Sequence, residues 1–144
     1  MQEVLVKRVE SEAEMEGAIG VRFRVFVSEQ AVPPEEELDE ADATATHAIA
    51  LSGDTIIGTG RLLIRDETTA IIGRMAVDQE WRRRGVGGQI LLFLEEEARA
   101  QGLRESVLHA QEYVKSFYAA HGYAEHGNVF LEVGIPHIEM RKRL

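Results

Sequence analysis

Arg74-Met75-Ala76-Val77-Asp78-Gln79-Glu80-Trp81-Arg82-Arg83-Arg84-Gly85-Val86-Gly87-Gly88-Gln89-Ile90-Leu91 is the stretch that decides how this chain folds. It starts as a strand, turns through three arginines and three glycines, and opens a helix. The first N–H groups of any helix lack intrahelical partners and carry the positive end of the dipole. Glycine lets a ligand approach that backbone closely, so such a turn is a ready anion site. Two phosphate loops are excluded. There is no Gly-Lys-Ser or Gly-Lys-Thr for a Walker-type loop, and Ile90 stands where a dinucleotide fingerprint needs its third glycine. Three adjacent arginines in a chain of net charge −9 call for a ligand rich in negative charge. A pyrophosphate with a further phosphate, as in coenzyme A, would match them.

On either side of this turn the periodicity changes. Upstream, strands are predicted over 47–51, 56–64 and 70–77, with Ser52-Gly53-Asp54 as a hairpin turn. Downstream, the spacing predicts a helix over 85–101 that ends at Gly102. Val86, Ile90, Phe93, Leu94 and Ala98 share one of its faces, while Glu95, Glu96 and Arg99 point away. A short strand over 106–110 follows, then a helix with Val114, Phe117, Tyr118 and His121 on one side, stopped by Gly122. Strands over 129–133 and 135–140 close the chain. At the other end, Val4-Leu5-Val6 with Val9 reads as a first strand. Ser11 then caps a helix whose apolar face carries Met15, Ile19, Phe23 and Phe26. The stretch 33–42 holds two prolines and six carboxylates with no base, which predicts a loop rather than an element. It reads either as a solvated connection or as the lining of an entrance for a cationic substrate.

Composition sets the outer bounds. With 144 residues, and no internal repeat or low-complexity linker, the expectation is one domain over 1–144. Being 44% hydrophobic and 28% charged, the chain is neither disordered nor fibrous. No uncharged apolar run approaches the roughly 20 residues that span a bilayer, and no leader pattern opens the sequence. A soluble cytoplasmic protein is expected. The acidic balance argues against general nucleic-acid binding. The absence of cysteine removes disulfides, thiolate metal sites and a cysteine acyl-enzyme, and no His or carboxylate pair stands at metal-ligand spacing, so no metal is expected.

Arg82-Arg83-Arg84-Gly85-Val86-Gly87 resembles the Arg/Gln-x-x-Gly-x-Gly/Ala motif of the GNAT superfamily of N-acetyltransferases, in the same strand–turn–helix context. Phe117-Tyr118-Ala119-Ala120-His121-Gly122-Tyr123 is similar to the Phe-Tyr-x-x-x-Gly-Phe segment of that fold. The segments over 21–30 and 130–140 resemble the ElaA/YjcF-like branch, so the likeness covers nearly the whole chain. It implies an α+β (three-layer) architecture: a mixed, mostly antiparallel sheet of six to seven strands, splayed between the fourth and fifth, with helices on both faces. The pantetheine arm of acetyl-CoA would enter that gap. Carried over, Met75, Ala76 and Val77 hold the arm, Arg82, Arg83, Arg84, Gly85, Val86, Gly87 and Gly88 hold the pyrophosphate, and Gln111 and Phe117 lie beside the cofactor.

The same resemblance makes Tyr118 a proton donor to the coenzyme sulfur. As a residue of a predicted helix, it also suits a core aromatic packed beside Phe117 and Val114, and its place in the family's segment favours the donor role. Many family members place a glutamate on the fourth strand as general base, but Ala70-Ile71-Ile72-Gly73-Arg74-Met75 offers none. Candidates for that role are Glu29, His109, Glu132 and His137. Without cysteine, direct attack by an amine in a ternary complex is the simpler route, with serine or threonine acylation open beside it. The expected activity is acetyl transfer from acetyl-CoA to a primary amine of a small molecule, peptide or protein. Two rivals stand beside it. One is a non-catalytic acyl-CoA-binding module. The other, ranked lower, is an acyl-homoserine-lactone-synthase-like enzyme, for which Arg22-Phe23-Arg24-Val25-Phe26 is an approximate match. Self-pairing through an edge strand, giving a homodimer, is common in such folds.

Overall fold

A computed structural model describes residues 3–144. Its centre is a seven-stranded sheet of order β1-β2-β3-β4-β5-β7-β6. The strands are β1 (Val4–Arg8), β2 (Thr46–Ser52), β3 (Thr55–Ile64), β4 (Thr69–Val77), β5 (Glu105–Gln111), β6 (Ala124–Glu132) and β7 (Ile135–Arg143). All neighbours pair antiparallel except β4 and β5, which run parallel. Parallel strands need a crossover between them. Here that crossover contains the long helix α3 (Val86–Ala100).

The helices follow from local chemistry. Ser11 Oγ accepts the Glu14 amide at 3.1 Å and starts α1 (Glu12–Arg22), as its cap pattern predicts. Gly85 takes the left-handed conformation (φ 79°) at the N-cap of α3. Gly102 (φ 81°) ends α3 and Gly122 (φ 92°) follows α4 (Lys115–Ala120), both positions where a Cβ would be strained. Ala48, Ala50, Ile72, Ile90, Leu91, Leu94 and Met140 are buried in the main core.

Three local expectations are corrected. Helix α1 does not stop as an ordinary helix but continues as a seven-residue π-helix, Phe23–Glu29. Its deepest stripe is Ala18, Val21, Arg22 and Val25, while Met15, Ile19, Phe23 and Phe26 stay half-buried. The acidic stretch is not plain loop. It forms the single turn α2 (Pro34–Glu37) and a 3₁₀ turn at Glu40–Ala43, because arginines neutralise half its carboxylates. Glu95, expected to point away, is fully buried. The Tyr123 hydroxyl donates to it at 2.8 Å and Lys142 Nζ lies 2.9 Å away, so both oxygens are paired.

Candidate active site

The parallel pair is short. β4 and β5 are paired only through Thr69–Ile71 against Glu105–Val107. Beyond those residues the two strands separate, and a cleft of about 830 Å³ lies along the gap. Met75, Ala76 and Val77 line the β4 wall, and Leu108, His109 and Gln111 the β5 wall. Phe117 and Tyr118 enter from α4, and Val25, Phe26 and Gln30 from the end of the first helix. A π-helix closes its hydrogen bonds one residue further along than an α-helix, and such segments often sit at functional sites. Here it ends in Gln30, whose amide bonds the Val25 carbonyl at 3.2 Å. Gln30 and Gln111 exchange reciprocal side-chain hydrogen bonds (2.8 and 3.2 Å).

At one end of the cleft lies the N-terminus of α3. The N–H groups of Val86, Gly87 and Gly88 have no partner within the helix. Glycine matters here for close packing. A Cβ on Gly87 would come within 3.4 Å of the Phe117 ring, and one on Gly88 within 3.1 Å of the His121 ring. The three arginines of the turn diverge. Arg82 donates to the Val77 carbonyl (2.9 Å) and pairs with Glu29 through two bonds of 2.7 and 2.9 Å. Arg83, in the left-handed region (φ 63°), lines the cleft and has no ion-pair partner among the described residues. Arg84 sits over the Trp81 ring at 4.9 Å and lines a different depression, beside Val4, Leu51 and Gln89. Glu29, once a base candidate, is therefore committed to Arg82.

Three other base candidates come together. His109 Nδ1 is 3.0 Å from Glu132 Oε1, and His137 Nε2 is 3.6 Å from Glu132 Oε2. Phe130 packs edge-on against His109 and stacks against His137. The hydrogen bond to Glu132 raises the His109 imidazole above its ordinary value, against the opposing effect of burial. The same bond lowers the Glu132 carboxyl. The His137 Nδ1 stands 2.7 Å from the Ile135 carbonyl, which can only accept. That contact places a proton on Nδ1 and turns Nε2 to the glutamate. Tyr118 is buried, and its hydroxyl has no hydrogen-bond partner among the described residues although the side chain lines the cleft. Burial pushes its pKa up to about 12, so it stays a neutral phenol.

Glu36, Glu37 and Asp39 of the acidic stretch line the cleft, as the second reading of that stretch has it, but their arginine partners were not read from the sequence. Arg22 and Glu37 form a buried pair at 2.8 Å, and Asp42 joins Arg22 to Arg61. Asp39 pairs with Arg61 at 2.7 Å and with Arg74 at 3.2 Å. Of these, Glu37, Asp39, Arg61 and Arg74 line the cleft. A single arginine inside the apolar run 70–77 was the available signal. Among the described residues there is no group of three or more His, Asp or Glu able to hold a metal ion, and no helix long and apolar enough to cross a membrane.

Comparison with known proteins gives consistent matches. A family model described as an acetyltransferase (GNAT) domain matches residues 5–144. The uncharacterized N-acetyltransferase YjcF of Bacillus subtilis is 37% identical over 143 residues, 99% of each chain. The crystal structure of Escherichia coli ElaA superposes with a TM-score of 0.84 at 27% identity, covering 99% of both chains. An acyl-CoA N-acyltransferase from Pseudomonas aeruginosa superposes at 0.83 with 28% identity, again over 99% of each.

Proposed function

The chain belongs to the GNAT acetyltransferase family, and on that premise we propose that it moves an acetyl group from acetyl-CoA to a primary amine by direct attack in a ternary complex. The observation that carries this reading is the gap between β4 and β5, which ends at the open N-terminus of α3 and holds an unbonded tyrosine hydroxyl. Acyl-CoA use by the Pseudomonas aeruginosa relative supports the choice of donor. The residues present fit such a donor. The N–H groups of Val86, Gly87 and Gly88, with Arg83, would hold its phosphate oxygens, and the edge of β4 beyond Ile71 is free to pair with an amide-bearing arm. The Val77 carbonyl is taken by Arg82, which leaves the arm to Met75 and Ala76 on that edge.

Acetyl-CoA supplies the thioester. The amine nitrogen bonds to its acyl carbon, the C–S bond breaks, and the electron pair leaves with sulfur. Tyr118 donates a hydrogen bond to that sulfur. A phenol pushed up to about 12 holds its own proton against a thiolate whose conjugate acid is near 8.5. The proton lost by the amine passes to the Glu132–His137 pair and from there, through water, to the thiolate, giving amide and free thiol. Acetyl-CoA and an amine are the partners of this reading, in the cytoplasm.

Free-thiol release from acetyl-CoA with a panel of amines tests the proposal. Turnover is expected, with Tyr118→Phe lowering kcat by about 10- to 100-fold at unchanged acetyl-CoA affinity. Binding without turnover on any amine would instead favour a non-catalytic acyl-CoA-binding module.

A further inference from the structure

Arg74 stands inside β4 with φ 50°, a conformation that a non-glycine residue keeps only where its surroundings hold it. The ladder pairs Thr59 with Ala76 and Arg61 with Gly73, so Arg74 and Met75 together oppose Gly60 in a bulge. Bulges re-aim side chains, and the Arg74 side chain lines the cleft. Its guanidinium is loosely held. Nε reaches the Glu37 carbonyl at 3.3 Å and Glu37 Oε1 at 3.5 Å, and Nη2 reaches Asp39 at 3.2 Å. Nη1 has no partner among the described residues. Beside it, Arg61 is 7% exposed, and its buried Nε also lacks a partner. Arg74 thus brings an unused N–H donor to this corner, beside the buried guanidinium of Arg61.

We propose that the Arg74–Arg61 corner receives a carboxylate carried by the acceptor amine, so that amino acids and similar carboxylate-bearing amines are the substrates. This rests on the transferase reading above. Charge supports it. Arg22, Arg61 and Arg74 already face Glu37, Asp39 and Asp42, so the corner is close to neutral and suits a monoanion better than a phosphate dianion. The same pairing commits Glu37 and Asp39, two of the three carboxylates of the acidic stretch that line the cleft, and leaves Glu36 as the third. A guanidinium edge also matches a carboxylate in shape. Across the gap, the Arg74 charge helps to hold the Glu132 carboxyl low, after the leading effect of the His109 hydrogen bond. An acceptor lying across the cleft would set its amine at Glu132 and His137 and its carboxylate at Arg74.

The test compares glycine, β-alanine, phenylalanine and lysine with their amides, and glycine with aminomethylphosphonate, by thiol release. The amides are the less basic amines and the more abundant free nucleophiles at neutral pH, so a preference for the acids is not one of amine reactivity. The acids are expected to exceed their amides in kcat/KM by about tenfold, the worth of one charged hydrogen-bond pair. Arg74→Gln should erase that ratio by raising KM for the acids alone, any change in kcat that reaches Glu132 falling alike on acids and amides, and Arg74→Lys should restore part of it. Equal use of acid and amide by the unmodified protein overturns the proposal, whatever the variants do. So does an equal loss on both by Arg74→Gln, or a preference for the phosphonate. No thiol release with any acceptor, acid or amide, sinks the transferase reading itself.

Discussion

His109, Glu132 and His137 share one carboxylate, and their chemistry differs by which ring nitrogen faces it. Because its hydrogen bond to Glu132 raises His109, this imidazole should titrate above 6.5 by NMR, and Glu132→Gln should return it towards that value. The sign for stability follows. The contribution of the pair is complete below the unfolded value and fades as pH rises through the raised folded one. His137→Ala should lower kcat by about 100-fold while sparing acetyl-CoA affinity, as expected for a lost proton acceptor. Among the turn arginines, Arg83→Ala should weaken acetyl-CoA binding and flatten its salt dependence, whereas Arg84→Ala, stacked over Trp81, should change affinity little. Sequence alone could not separate those arginines. Adjacent residues of a turn point in different directions, and only the backbone angles, left-handed at Arg83, decide which side chain faces the cleft.

The elements most legible in the sequence are those set by local rules: the Ser11 cap, the Gly53 hairpin and the Gly102 and Gly122 stops. What stayed hidden depends on distant partners. Arg22 and Glu95 are charged residues on helix faces, and nothing nearby in sequence announces that Glu37 and Lys142 will bury them. The bulge at Arg74 was equally invisible, since it answers to Gly60 on the neighbouring strand. That strand fixes a prediction. A Cβ on Gly60 would stand 2.6 Å from Met75 Sδ, 2.9 Å from Ile90 and 3.0 Å from Leu94. Gly60→Ala should therefore destabilise the protein by about 1–3 kcal/mol in denaturant unfolding, the usual cost of overpacking. Placing Met75 and Arg74 differently, it should also disturb the cleft wall.

Over the whole molecule, charge does more than keep the chain in solution. Burial alone would raise the Asp42 carboxyl, but the Arg22 hydrogen bonds, the Asp39 amide and Arg61 outweigh it and hold the group well below the carboxylate range. Its contribution is present above about pH 4 and lost as pH falls through the lowered value. Limited proteolysis within 33–45 should thus be slow at pH 5 and accelerate in strong acid before β2 and β3 open. The sheet itself has an uneven seam. β1 to β4 form one slab and β5 to β7 another, joined along the parallel ladder by the pairs at Thr69–Ile71 and, towards the open end, by the Gln30–Gln111 clasp. A guest threaded along β4 would act as mortar between two masonry blocks. Filling the seam should slow amide exchange in both slabs together, so that cargo and rigidity arrive in the same step.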